Sequence, residues 1–243
     1  MAVLQTNKLE KHFDGVYAID GLSIEVPKAA ITSIIGPNGS GKTTLINVLS
    51  GMLDIDGGSI VLDGIRLSRF KSHEIPMYGL TRTFQEVRLF NQMTVLDNIL
   101  VVLTERNVFS ALFERHSNLH FMRTEELLKK INLWEKRNEL AGNLSYGQRK
   151  LIEIARALAM EAQIYLLDEP FAGLFPEMLK VVVDIVKELK TRGKTVVLIE
   201  HNMDLIRELS DYVFVMDSGK LLADGKPNEV LNKREVIEAY LGE

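Results

Sequence analysis

Gly36-Pro37-Asn38-Gly39-Ser40-Gly41-Lys42-Thr43 decides how this chain is read. It fits the phosphate-binding pattern G-x-x-x-x-G-K-[ST], and its flanks supply the context that motif requires. Upstream, Ile31-Thr32-Ser33-Ile34-Ile35 is a β-branched run that stops at Gly36, as a buried strand entering a tight turn does. Downstream, residues 42–50 have helical spacing, with Leu45, Val48 and Leu49 on one face and Gly51 as a stop. In a strand–loop–helix unit of this kind, the glycines let backbone N–H groups curl around phosphate oxygens, and the positive end of the helix adds to the attraction. Lys42 supplies charge to the β- and γ-phosphates, and the Thr43 hydroxyl can ligate Mg²⁺. The candidate nucleotide-binding residues here are Gly36, Asn38, Gly39, Ser40, Gly41, Lys42, Thr43 and Thr44. A glycine-rich turn without a ligand is the alternative, and the flanking strand and helix argue against it.

A phosphate-binding loop needs an acidic partner at the end of a nearby strand. Ile164-Tyr165-Leu166-Leu167-Asp168-Glu169 provides one, an apolar run ending in two carboxylates. Asp168 would hold Mg²⁺, directly or through water, and Glu169 would orient or deprotonate the attacking water. Two adjacent carboxylates after a strand also suit a loop or a helix cap; beside a phosphate-binding loop the metal-binding reading prevails. Together the two motifs describe a Mg-dependent NTPase.

Around these motifs the chain reads as α/β. Leu22-Ser23-Ile24-Glu25-Val26 alternates apolar and polar residues before Pro27, and the first stretch as a whole reads as short strands. Residues 59–62 and 65–67 flank Asp63-Gly64, a hairpin signal. Residues 95–160 are mostly helical by pattern. After them come strand 164–167, helix 177–192, strand 195–199, helix 203–210 and strand 212–216, with one or two short helices in 227–241. Strands separated by helices of this length imply βαβ crossovers and a parallel sheet covered on both faces, interrupted by a helical insertion.

The chain has 243 residues, with 46% hydrophobic and 26% charged, ordinary values for a soluble globular protein. A formal net charge of −4 argues against a chain-wide basic surface for nucleic acid. The local pairs Arg149-Lys150 and Lys129-Lys130 lie in helical patterns and read as solvated faces. No apolar run approaches the ~18 residues that span a bilayer, and Glu10, Lys11 and Asp14 are foreign to a signal peptide. The expected location is therefore the cytosol, with any membrane attachment through a partner. The absence of cysteine excludes disulfides and thiolate metal sites.

Leu144-Ser145-Tyr146-Gly147-Gln148 precedes an amphipathic helical run, so Ser145 and Gly147 lie at a helix N-terminus, a second phosphate site. One molecule with a single phosphate-binding loop has no need of two such sites on one nucleotide. A head-to-tail pair does, with the loop of one subunit facing the Ser145 helix of the other.

With this segment the sequence resembles the ABC ATPase family, whose signature is a Leu-Ser-Gly-Gly-Gln-like stretch just before the second acidic motif. The resemblance covers essentially the whole chain. It implies a P-loop NTPase fold: a RecA-like parallel-sheet core with an antiparallel β lobe (residues 1–91 and 158–226), an inserted helical subdomain carrying the signature (92–157), and C-terminal helices (227–243). It implies ATP and Mg²⁺ as ligands. Gln85, in Thr81-Arg82-Thr83-Phe84-Gln85, matches the family's Q-loop glutamine, which touches the Mg²⁺ and water site and senses the transmembrane partner. His201 matches the switch histidine that contacts the γ-phosphate, Phe13 falls where the family stacks an aromatic on adenine, and Gln148 closes the signature. The catalytic group would then be Lys42, Gln85, Glu169 and His201, with Thr43, Gln85 and Asp168 around the metal. A lone histidine after a strand is more often structural, and an aromatic such as Phe13 more often core; the ordered set reverses both.

Within the family the chain looks like the ATPases of branched-chain amino-acid importers. Thr81-Arg82-Thr83-Phe84-Gln85, Arg88-Leu89-Phe90, Met93-Thr94-Val95, Tyr146, Ala172-Gly173-Leu174 and Val236-Ile237-Glu238-Ala239-Tyr240-Leu241-Gly242 carry that likeness. It implies two membrane-spanning permease subunits, a second ATPase subunit (identical or related), an extracytoplasmic solute-binding protein and a place at the cytoplasmic face of the membrane. Two features depart from the pattern. Phe175 stands where relatives usually carry Asn or Asp, and the stretch 104–120 is shorter than this branch implies. Phe109, Leu112 and Phe113 in that stretch suit helix packing better than a docking patch. A soluble ABC ATPase serving DNA repair or translation would carry coiled-coil arms or tandem cores, and a non-hydrolysing nucleotide sensor would have no use for Gln85, Glu169 and His201.

Overall fold

The computed structural model describes residues 2–67, 71–103 and 118–241. In chain order the elements are β1 (Ala2–Phe13), β2 (Val16–Pro27), β3 (Ile31–Ile35), α1 (Lys42–Leu49), β4 (Gly57–Leu62), β5 (Ile65–Leu67), β6 (Leu80–Arg82), α2 (Val95–Leu103), α3 (Asn118–Lys130) and α4 (Tyr146–Ala159). They continue with β7 (Ile164–Asp168), α5 (Pro176–Thr191), β8 (Thr195–Ile199), α6 (Met203–Leu209), β9 (Tyr212–Asp217), β10 (Lys220–Gly225), α7 (Pro227–Val230) and α8 (Arg234–Leu241). Two compact units result. The first comprises Met1–Arg82, Gln163–Glu169 and Ile185–Glu243; the second comprises Thr83–Ala162 and Pro170–Asp184.

The first unit holds both sheets. One is a four-stranded antiparallel sheet in the order β2-β1-β4-β5, the antiparallel lobe. The other has six strands in the order β10-β9-β3-β8-β7-β6, parallel except for the β10 edge. All five residues of β3 are buried, Thr32 and Ser33 included, which is why its sequence carries no charge and no regular apolar–polar alternation. Ile34 packs in one cluster with Leu45, Leu49, Phe214 and Met216, whereas Ile35 packs in another with Ile206, Val213, Val215 and Val236. Successive residues thus feed opposite faces, and each buried isoleucine contributes roughly 2–3 kcal/mol. The registers Ile34 to Ile199 and Asp168 to Ile199 bring the carboxyl ends of β3, β7 and β8 to one edge of the sheet. The loops leaving these strands therefore start side by side.

Strands β3, β7, β8 and β9 and helices α1, α5 and α6 lie where the sequence predicts them, within a residue at most ends. The amino-terminal strands are long rather than short. β1 runs for 12 residues, and its alternation is broken by a bulge with Lys8 at φ 45°, so period-2 reasoning stops there. β6 has only three residues, too few to show a period. β10 follows a tight turn with Ser218 at φ 46° and lies beyond the last strand that the sequence predicts.

In the second unit α2, α3 and α4 pack on one another. Helix α4 buries Leu151, Ile152, Ile154 and Leu158. The expected solvated face at Arg149-Lys150 is corrected here: Lys150 is only 2% exposed. Its ammonium donates to the Ala172 carbonyl at 3.4 Å and lies 5.7 Å from the centre of the Tyr146 ring, so its stem packs inward and its charge is met there. Lys129 does face solvent, paired with Glu125. Phe109, Leu112 and Phe113, most of the stretch 104–120, and Gly242 lie outside the described residues. Among the described residues no helix is long and apolar enough to cross a membrane.

Candidate functional site

The loop between β3 and α1 is built around two close backbone approaches. A Cβ on Gly36, at φ 151°, would stand 2.0 Å from the Met216 carbonyl oxygen, and one on Gly41, at φ 100°, would stand 2.3 Å from that of Ala18. Only glycine fits both places. The turn then delivers Lys42 as the first residue of α1, where it is 6% exposed. Its ammonium donates to the carbonyls of Gly36 at 2.7 Å and Pro37 at 2.8 Å and to Ser40 Oγ at 3.3 Å. The cation is thereby held inside the curl of the loop, beside the N–H groups that open α1.

At the same edge of the sheet, β7 ends in Asp168, which is 2% exposed. Arg82, at the end of β6, stands 3.5 Å from its carboxylate and donates to Asn47 Oδ1 at 2.8 Å and Ser50 Oγ at 2.7 Å. The next residue, Glu169, adopts φ 47°, a left-handed conformation that costs a non-glycine residue roughly 1 kcal/mol or more. Its amide donates to the Ile199 carbonyl at 3.0 Å, which pins the turn to the end of β8. The sharp turn gives the two carboxylates different surroundings. Asp168 is buried, whereas Glu169 is partly open and its Oε1 lies 3.1 Å from His201 Nε2. A carboxylate only accepts, so His201 donates from Nε2 in this pair. Lys42, Asp168, Glu169 and His201 thus emerge from three neighbouring strand ends of one unit.

Phe13 closes β1 in the same unit. It is 46% exposed, with Lys11 Nζ 5.4 Å from the ring centre, so it is a surface aromatic and not a core one. Lys11 and the His12 amide are tied to Asp56, whose carboxyl is held below its ordinary range mainly by the His12 N–H. That contact anchors the end of the strand. The oxygens of Thr43 and Asp168 are hard donors of the type Mg²⁺ takes, and a Mg²⁺ shared with phosphates needs only one or two protein ligands. Among the described residues no cluster of three or more His, Asp or Glu side chains converges on a metal.

Gln85, Ser145, Gly147 and Gln148 belong to the second unit. Ser145 caps α4: the Gln148 amide donates to Ser145 Oγ at 3.3 Å, and the Ser145 amide donates to Gln148 Oε1 at 3.1 Å. The Gln148 side chain is therefore engaged in shaping the helix end. A Cβ on Gly147 would approach Met178 Sδ to 2.8 Å, a contact that the flexible methionine side chain relieves by shifting. Tyr146 OH donates to the Gln85 carbonyl at 3.5 Å. Phe175, just before α5, is 72% exposed.

Two residues with structural claims on the site had no assigned role in the sequence. One is Arg82, noticed only as part of Thr81-Arg82-Thr83-Phe84-Gln85. The other is Glu153, a buried acid within Leu151-Ile152-Glu153-Ile154-Ala155 on α4 that accepts from the Phe84 amide at 3.1 Å. For Glu153 the signal was a charge inside an apolar stretch, which has to be met by a partner when buried; Arg82, flanked by Thr81 and Thr83, carries no such signal.

Comparison with known proteins agrees with this architecture. The family profile described as ABC transporter matches residues 19–172, and that of the branched-chain amino acid ATP-binding cassette transporter matches residues 220–243. The high-affinity branched-chain amino acid transport ATP-binding protein LivG of Salmonella typhimurium is 40% identical over 250 residues, covering 99% of this chain and 98% of its own. Among solved structures, the ADP conformation of an ATP-binding cassette of an ABC transporter superposes with a TM-score of 0.87 at 35% identity, covering 100% of both chains. The dimeric structure of a bacterial ABC transporter cassette gives 0.82 at 25% identity, covering 92% of this chain and 98% of that one.

Proposed function

This chain belongs to the ABC transporter family, and from that premise we propose that it powers the import of branched-chain amino acids through a partner membrane permease. It is an ATPase of the ATP-binding cassette type. The observation that carries the substrate class is the full-length likeness to the branched-chain transport ATPases, which extends into the C-terminal segment 220–243.

In the working pair, two cassettes lie head to tail with nucleotide between them. Phe13 stacks on adenine, and the amides of residues 39–44 together with Lys42 hold the β- and γ-phosphates. Thr43, Asp168 and Gln85 would hold Mg²⁺, which would supply neutralisation of phosphate charge when bound. Glu169 takes the proton of the attacking water or orients it, and His201, 3.1 Å away, holds Glu169 and reaches toward the γ-phosphate. Ser145 and Gly147 of the second cassette close the site from the other side. The catalysis is positioning plus electrostatics, with no covalent step on the protein.

The test is to purify the tagged chain from detergent-solubilised native membranes and to reconstitute whatever accompanies it. Multi-spanning hydrophobic subunits, and ATP-driven uptake of leucine, isoleucine or valine in vesicles, are the expected results. Soluble or ribosomal partners alone would overturn the transport reading and leave the ATPase chemistry standing.

A further inference from the structure

The loop that carries Gln85 is gripped by one stripe of α4. Tyr146, Glu153 and Arg156 are seven and then three residues apart, so they lie within about 80° of one another around the helix. All three bind backbone atoms of the loop. Tyr146 OH donates to the Gln85 carbonyl at 3.5 Å, Glu153 Oε1 accepts from the Phe84 amide at 3.1 Å, and Arg156 donates to the Arg88 carbonyl at 2.6 Å. The Arg88 guanidinium lies 4.2 Å from the centre of the Phe84 ring, and that of Arg156 lies 5.3 Å from the centre of Phe90. Because main-chain atoms are held, the path of residues 84–88 is set whatever their side chains do.

A buried acid is an expensive way to fill a helix face. Glu153 is 5% exposed, and its second oxygen, Oε2, has no hydrogen-bond partner among the described residues. Apolar residues would pack at lower cost, so an incompletely satisfied carboxyl in this position calls for a reason. Burial pushes it up to about 7 against the opposing pull of the Phe84 and Arg88 amides, Lys150 and Arg156.

We propose that Glu153 is a positioning residue that locks the Gln85 loop to the helix beginning at Ser145, so that both move as one piece. This rests on the reading of Gln85 and Ser145 given above. On that reading, Gln85 serves the nucleotide on its own chain and Ser145 serves the nucleotide on the second chain. The lock then makes the state of one composite site felt at the other.

The experiment compares the full chain with Glu153→Ala and Glu153→Gln, measuring ATP affinity, steady-state hydrolysis and amide hydrogen exchange at residues 84–88. ATP affinity within about twofold of the parent serves as the folding check, since the phosphate-binding loop is in the other unit. Glu153→Ala should lower kcat about tenfold or more with KM little changed, the scale of a misplaced group. Exchange at Phe84 should rise in the same variant. Glu153→Gln keeps one carbonyl oxygen for the Phe84 amide and should recover part of both effects. Unchanged exchange and unchanged kcat in Glu153→Ala would overturn the proposal. Faster exchange without a fall in kcat would overturn it too, if Gln85→Ala slows hydrolysis. If Gln85→Ala itself leaves hydrolysis intact, the role given to Gln85 fails, and the lock falls as a positioning device while the contact at Phe84 stands.

Discussion

The guanidinium of Arg82 stands 3.5 Å from the carboxylate of Asp168, in a place where the two side chains are 9% and 2% exposed. Arg82 also ties the end of α1 to the end of β7 through Asn47 and Ser50. The acidic residue beside the phosphate-binding loop thus sits in a framework whose counter-charge comes from a neighbouring strand.

Removing that counter-charge should be costly. Arg82→Ala is expected to destabilise the protein by about 3 kcal/mol, the range for breaking one side of a buried ion pair. Denaturant unfolding measures it. A loss below about 1 kcal/mol would mean that the pair contributes little to the fold.

Glu169 and Lys42 should separate chemistry from binding. Glu169→Gln is expected to bind ATP normally and to hydrolyse it at least ~100-fold more slowly, the order for losing a positioned base. Lys42→Ala should abolish tight nucleotide binding, because on the proposed function the cation held in the loop is the one offered to the phosphates. Nucleotide titration and phosphate release distinguish the two. Near-normal turnover in Glu169→Gln removes that residue from its role.

The glycines of the loop should differ in tolerance. Gly36→Ala places a methyl 2.0 Å from a backbone oxygen, so the strand end itself must shift, at about 3 kcal/mol or more. Gly39→Ala meets nothing within 4 Å and bears only the strain of φ 77°, about 1–2 kcal/mol. Thermal melting of the two variants should rank them in that order.

Glu153 gives the fold a pH dependence. Its carboxyl is raised from 4.5 to about 7, so between those values the folded state binds more protons than the unfolded one. The stability it contributes is fully present below about 4.5 and is lost as pH rises through about 7, a change of roughly 3 kcal/mol at most. Glu153→Gln cannot titrate there. Relative to that variant, the parent should lose stability across the window, and parallel stability–pH curves for the two would contradict the assignment.

Much of the architecture was legible because its signals are local. A buried central strand such as β3 shows as a β-branched run, and Asp63-Gly64 announces a hairpin that the structure contains, with Asp63 at φ 45°. The strands whose extent the sequence does not show lack a local signal. β1 loses its alternation at the Lys8 bulge, and β6 is held by pairing with β7 and not by its own composition. Lys150 was misjudged for a similar reason: helical spacing gives the direction of a side chain but not what packs over it, here Ala172 and Tyr146 from distant and near positions in the chain.

By itself the sequence determined the phosphate-binding turn, the acidic strand end, the capped signature helix and the order of βα units, because each depends on residue types at fixed short spacings. Only the tertiary structure decided that Asp168 faces Arg82, that Glu169 turns through a left-handed conformation to meet His201, and that Glu153 holds the backbone at Phe84. Those relations join residues 32 to 86 positions apart in the chain, and strand pairing and helix packing alone bring them together.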